Sequence, residues 1–151
     1  MAKPLTLAFS NFKVYVNTAD SPDTFEAPCG FTQKALTIDA TTSDTTVPDC
    51  DDPEAPAWTE RGVTAISATI TGQGIMAMAS LQTWREWMLA AEHRQVRVEF
   101  DDTGANGGGY YQGYAFLTSL GHSAALGSDG NKAQLSVNIV SDGEWTWTDA
   151  A

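Results

Sequence analysis

A chain of 151 residues is most simply a single domain, long enough to bury about 70% of its unfolded surface without disulfide or metal staples. Its 42% apolar content suits a globular core, and 19 acidic against 8 basic side chains leave a formal charge of −11. A surface that acidic repels phosphate and argues against a sequence-specific reader of nucleic acid, although a surface that DNA must slide past should also avoid gripping it. The opening MAKPLTLAF has neither the apolar stretch nor the small-residue cleavage site of a secretory leader. No run approaches the ~18 apolar residues of a membrane span. Cys29 and Cys50 are expected as free thiols in a reducing cytoplasm, with a later disulfide as the alternative.

Residues 5–16 contain a strand with Phe12, Val14 and Val16 on one face, followed by a turn-rich connection over 17–30 holding Pro22 and Pro28. A second strand covers 31–39, with Leu36 and Ile38 toward a core and Thr37 and Asp39 away from it. The clearest strand is 62–72, where Ile66, Ala68 and Ile70 oppose Ala65, Ser67, Thr69 and Thr71. Over 79–93 the period changes: Leu81, Trp84, Met88 and Ala91 recur at helical spacing, Ser80 is the expected N-cap, and Trp87 lies off the stripe. It either widens the buried face or meets another subunit. Strands return at 95–101, 110–120 and 133–140, the last with Leu135, Val137 and Ile139 inward and Gln134, Ser136 and Asn138 outward. The 101–109 segment reads as a hairpin turn, and EWTWTD as a short tail. The sum is a mainly β, antiparallel sandwich or barrel with one flanking α-helix.

Between the second and third strands lies the most unusual segment. Residues 41–60 hold six acids (Asp44, Asp49, Asp51, Asp52, Glu54 and Glu60), no base, and three of the six prolines, Pro48, Pro53 and Pro56. A loop that long inside a domain is usually functional or disordered, and this one also carries Cys50 and Trp58.

Catalytic and metal chemistry finds little footing. His93 at a helix end is expected to meet free carbonyls, and neither it nor His122 has metal-ligand spacing. The Asp49, Asp51, Asp52 run lacks the glycine of a calcium loop and is interrupted by Pro53, so solvated or interface carboxylates explain it. Gly107–Gly109 lacks the Lys-Ser/Thr ending of a phosphate loop. No catalytic residue, metal or cofactor is expected. Trp145 and Trp147 on a terminal tail are better explained by burial against a neighbour than by exposure to solvent.

The segment CGFTQKALTIDATTSDTTVPDCDDPEAPAWTERGVTAISATITGQGI (29–75), followed by the tryptophan-bearing helix and a strand-rich second half, resembles the major tail tube proteins of long-tailed phages and phage-like gene transfer agents. The resemblance spans nearly the whole chain. It implies one tail tube domain over 1–151, with an N-terminal arm over about 1–8, an inter-ring loop over about 41–60 and a C-terminal arm over about 141–151. Six copies would close into a ring, and stacked rings would form a conduit for DNA from capsid to recipient cell. Asp44, Pro48, Asp49, Cys50, Asp51, Asp52, Pro53, Glu54 and Trp58 would then belong to the inter-ring loop, and Trp145 and Trp147 would anchor the C-terminal arm. Thr37, Asp39, Ser67, Thr69, Thr71, Gln134, Ser136 and Asn138 would line the lumen. The implied partners are further copies of the chain, a head-tail terminator, distal tail or baseplate proteins, a tape measure protein during assembly, and DNA held without sequence-specific binding, with no membrane. Assembly in the bacterial cytoplasm into a virion or phage-like tail is the implied location. A secretion-system tube protein of related fold and a carbohydrate-binding β-sandwich using tryptophan platforms are the rival readings, with a small β-barrel enzyme behind them.

Overall fold

The strand-rich pattern folds into one antiparallel sheet, described in a computed structural model for residues 3–20, 23–127 and 129–150. Its strands are β1 (Phe12–Asp20), β2 (Asp23–Glu26), β3 (Phe31–Val47), β4 (Trp58–Ile75), β5 (Arg94–Phe100), β6 (Gly109–Ser123) and β7 (Gln134–Asp149), and the helix α1 spans Met78–Ala90. Strand order is β2-β1-β5-β6-β7-β4-β3. The expected mainly β architecture with a single flanking α-helix is what forms.

Alternation dictates the core. Val14 and Val16, Ala68 and Ile70, Val96 and Val98, Ala115 and Leu117, and Leu135, Val137 and Ile139 all point to one buried face. Leu81, Trp84 and Trp87 of α1 cover that face, and the two indoles stack at 6.0 Å. Each large side chain fully buried there contributes about 1.5–3 kcal/mol. Near the opposite ends of the strand order, Lys34 of β3 reaches Phe12 of β1: its Nζ donates to the Phe12 carbonyl and sits 4.3 Å from the Phe9 ring. The sheet therefore curls toward a barrel instead of lying flat. Burial at this seam, with Lys13 nearby, pushes the Lys34 ammonium below its ordinary value.

Several sequence-based expectations change. The connection over 17–30 contains a hairpin, β1–β2, in which buried Asn17 accepts the Thr24 N–H at 3.2 Å. Pro22 lies outside the described residues. Ser80 is not the N-cap of α1, because the helix starts at Met78 after Ala77, and the buried Ser80 hydroxyl instead accepts the Cys29 N–H at 3.0 Å. Trp87 widens the buried stripe, while Met88 is left exposed. The helix ends where Ala91 turns left-handed (φ 53°) and the Trp87 indole donates to the Glu92 carbonyl.

Candidate assembly surface

β4 has a neighbour on both sides only from Thr69 to Ile75, where β7 flanks it. Beyond Thr69, apart from the Ala68 N–H donating to the Ser141 hydroxyl, its strand partner among the described residues is β3, and that pairing continues out to Val47↔Trp58. The result corrects the expected loop at 41–60: strand pairing runs through half of it, at 41–47 and 58–60, and only residues 48–57 turn the chain. Composition explains the difference. TTSDTTV on one side and WTERGVT on the other are rich in β-branched residues that favour an extended backbone, whereas the prolines are confined to the turn. At ~3.3 Å per residue the ribbon projects about 30 Å past the sheet.

This arm is solvated almost throughout; of residues 41–67 only Ala55 is half-buried. One bulge kinks it: Thr64 has no opposite residue, and its hydroxyl donates to the Thr41 carbonyl at 3.0 Å. Register places Ile38, Ile66 and Val63 in the row that continues the core face. They are nonetheless 45%, 68% and 60% exposed, which corrects the inward placement of Ile38. The core ends where β7 leaves β4, so among the described residues they are at most partly covered. At the turn, the Asp49 carboxylate accepts the Asp51 N–H at 2.9 Å, and the Ala55 N–H donates to Asp52 at 3.1 Å. Asp44 and Arg61 pair across the strands at 3.2 Å, both in solvent. Trp58 is 89% exposed beside Val47, and Cys50 is a free, exposed thiol.

On the opposite face, registers Thr37↔Thr69, Asp39↔Ser67 and Thr71↔Asn138 set six of the polar residues singled out from sequence side by side. Ser136 opposite Gln73 and Gln134 opposite Ile75 extend the same face. These side chains are exposed or half-buried, with Asp39 the one charge among them.

The terminal tryptophans do not stand on a free tail. β7 continues through Asp149, paired with Gly109–Gln112 of β6, because that strand offers an unpaired edge. The Trp145 indole donates to the Tyr114 carbonyl at 2.9 Å and packs on the core. Trp147 meets Tyr111 edge-on at 4.7 Å, with Phe100 at 5.9 Å. Between β7 and the base of the arm a groove of about 280 Å³ opens, lined by Ile38, Ile66, Ala68, Tyr111 and Trp145. His93 also departs from expectation: its Nδ1 lies 2.8 Å from the Asp142 carboxylate, and its ring packs on Tyr114 at 4.4 Å. Sequence alone carried no signal for that long-range pair.

Known proteins point to the same architecture. The tail of an empty gene transfer agent particle, solved with C6 helical symmetry, superposes with a TM-score of 0.74 at 20% identity, over 95% of this chain and 99% of that one. A native gene transfer agent virion gives 0.70 at 20% identity over the same shares. The SPP1 tail tube gives 0.62 at 9% identity, over 95% of this chain and 80% of that one. No curated protein sequence matches. The profile of the phage tail tube protein family matches residues 6–146, and the chain belongs to that family.

Proposed function

We propose that six copies of this chain close into a ring, that rings stack into the hollow tail of a phage or gene transfer agent particle, and that DNA passes through the bore. The role is structural. The arm carries this reading. A two-stranded ribbon is marginal alone in water, yet this one is long and leaves Ile38, Val63, Ile66 and Trp58 uncovered, as a segment completed by neighbouring copies would. The face of Thr37, Asp39, Ser67, Thr69, Thr71, Gln134, Ser136 and Asn138 is the wall offered to DNA: hydroxyls and amides with one carboxylate give phosphate no cation to hold. A terminator and distal tail proteins close the ends of the tube, and a tape measure protein occupies it during assembly. Negative-stain electron microscopy of the purified protein at high concentration tests the reading, with rings and tubes expected. A monomer that never polymerises would reject it.

A further inference from the structure

The turn between β5 and β6 carries a chemistry that the tube reading does not use. The chain has five asparagines, and Asn106 is the one followed by glycine; Asn11, Asn17, Asn131 and Asn138 precede Phe12, Thr18, Lys132 and Ile139. A glycine has no side chain to keep its backbone nitrogen away from the carboxamide of the residue before it. Gly107 is also left-handed (φ 90°), with open space where a Cβ would stand, and both residues are exposed. Three bonds hold this turn still. The Asn106 carboxamide donates to the Asp102 carboxylate at 3.0 Å, the Gly107 N–H donates to the Gly104 carbonyl at 3.1 Å, and the Gly108 N–H donates to the Thr103 carbonyl at 2.9 Å. The first restrains an electrophile, the Asn106 Cγ, and the second a nucleophile, the Gly107 nitrogen. Two segments distant in sequence rest on the same turn. The Ala150 N–H donates to the Gly108 carbonyl at 3.0 Å, and Leu5, Thr6 and Leu7 line a cleft of about 200 Å³ with Asn106, Gly107 and Gly108.

We propose that Asn106–Gly107 is a site of spontaneous deamidation, gated by the Asp102 clamp and coupled to the seating of Ala150. Water or hydroxide takes the Gly107 amide proton, and the nitrogen attacks the Asn106 Cγ. The N–Cγ bond forms, the Cγ–Nδ2 bond breaks, and the side-chain nitrogen takes a proton from solvent and leaves as ammonia. Water then opens the five-membered imide at either carbonyl, leaving an aspartyl or an isoaspartyl residue. No oxidant or other reagent enters. Either product sets a second carboxylate beside Asp102 where a donor had been, and the isoaspartyl form also lengthens the backbone by one methylene. Like-charge repulsion then replaces the bond that closes the turn, so the Gly108 carbonyl loses the position from which it holds Ala150. The inference stands independently of the tube reading.

The full chain, held at mildly alkaline pH and followed by peptide mapping with mass spectrometry, tests this. Deamidation is expected at position 106 before any other asparagine. It should run about tenfold faster in Asp102→Ala than in the folded parent, the effect of losing one charge-assisted hydrogen bond, and at least as fast in the parent unfolded in urea. In urea the parent and Asp102→Ala should react at the same rate, because the clamp exists only in the folded turn. Another asparagine reacting first in the folded parent would overturn the site. Equal rates in the folded and unfolded parent would overturn the gate, and that comparison needs no variant to fold. Asn106→Asp, which supplies the aspartyl product directly, should speed hydrogen exchange at the Ala150 amide; an unchanged rate there would overturn the coupling.

Discussion

Removing the arm separates folding from assembly. In the variant that replaces residues 42–64 by Asn-Gly, the Thr41↔Ala65 pair closes a two-residue hairpin of the type these residues favour. All pairs from Ala40↔Ile66 inward remain, as does the whole buried set from Val14 to Ile139. Every deleted side chain except half-buried Ala55 is exposed, so almost no buried area is lost. Shortening a flexible excursion of that length to two residues recovers about 2 kcal/mol of closure entropy. Against this stand cross-strand contacts such as Asp44–Arg61, solvent-screened and each contributing a few tenths of a kcal/mol. The terms nearly cancel, so the monomer should unfold within about 2 kcal/mol of the parent, a shift of ~8 °C at most for a domain of this size. Circular dichroism with thermal unfolding reads the first quantity, and electron microscopy with sedimentation reads the second, where tubes should be absent. A variant that fails to fold would show the arm to be part of the folding unit. Normal tubes would show that it is not an assembly element. Either result refutes the reasoning.

Gly113→Ala would set a methyl group into the Trp145 indole, so the ring must leave its site and its bond to Tyr114. A destabilisation of about 1–3 kcal/mol in urea is expected, with a red shift in tryptophan fluorescence. Ser67→Lys with Thr69→Lys places ammonium groups on the polar face at exposed and half-buried positions. Tubes should form as before and DNA delivery by the particle should slow; unchanged delivery would remove these residues from the bore. Asp102 accepts hydrogen bonds from Asn106 and from the Thr103 N–H, which hold its carboxyl below the ordinary value of 3.8. A depressed folded pKa means that this contribution is present above that value and is lost as pH falls through the folded one. Asp102→Asn should therefore flatten the acid limb of a stability profile, and NMR titration of the turn checks the low midpoint.

Much of the fold was legible because its signals are local. Val96 and Val98, or Leu135, Val137 and Ile139, alternate with polar residues and can serve only as half-buried strands. The change of period at Leu81 and Trp84 marks the helix equally well. What local pattern cannot say is where a core stops along a strand. Ile66 and Ile70 occupy equivalent positions in the alternation, yet one is exposed and the other 2% exposed. The difference lies in β7, whose pairing with β4 ends at Thr69↔Val140. Strand partners were hidden for the same reason. EWTWTD looks like a fraying tail until β6 supplies its backbone, and an acidic, proline-bearing segment looks like a loop until its flanks find one another. The polar residues from Thr37 to Asn138 were legible as one face, since a side chain's face follows from parity alone once the register is set.

The arm also resolves a conflict between solubility and polymerisation. β3 is a 17-residue strand at the sheet edge, with its outer backbone groups unpaired, which is a standing invitation to uncontrolled pairing. The sequence restrains that edge with Asp39, Asp44 and the kink opposite Thr64, and it builds the ribbon from threonine and serine, which favour strand without requiring burial. Apolar side chains are kept to one row of the ribbon and to its tip. The formal charge of −11 sets a repulsion between free protomers against random association. On the tube reading, only a neighbour in correct register covers the row and the tip together. On that reading, the same restraint would make the edge β3 a specific joint rather than an aggregation site.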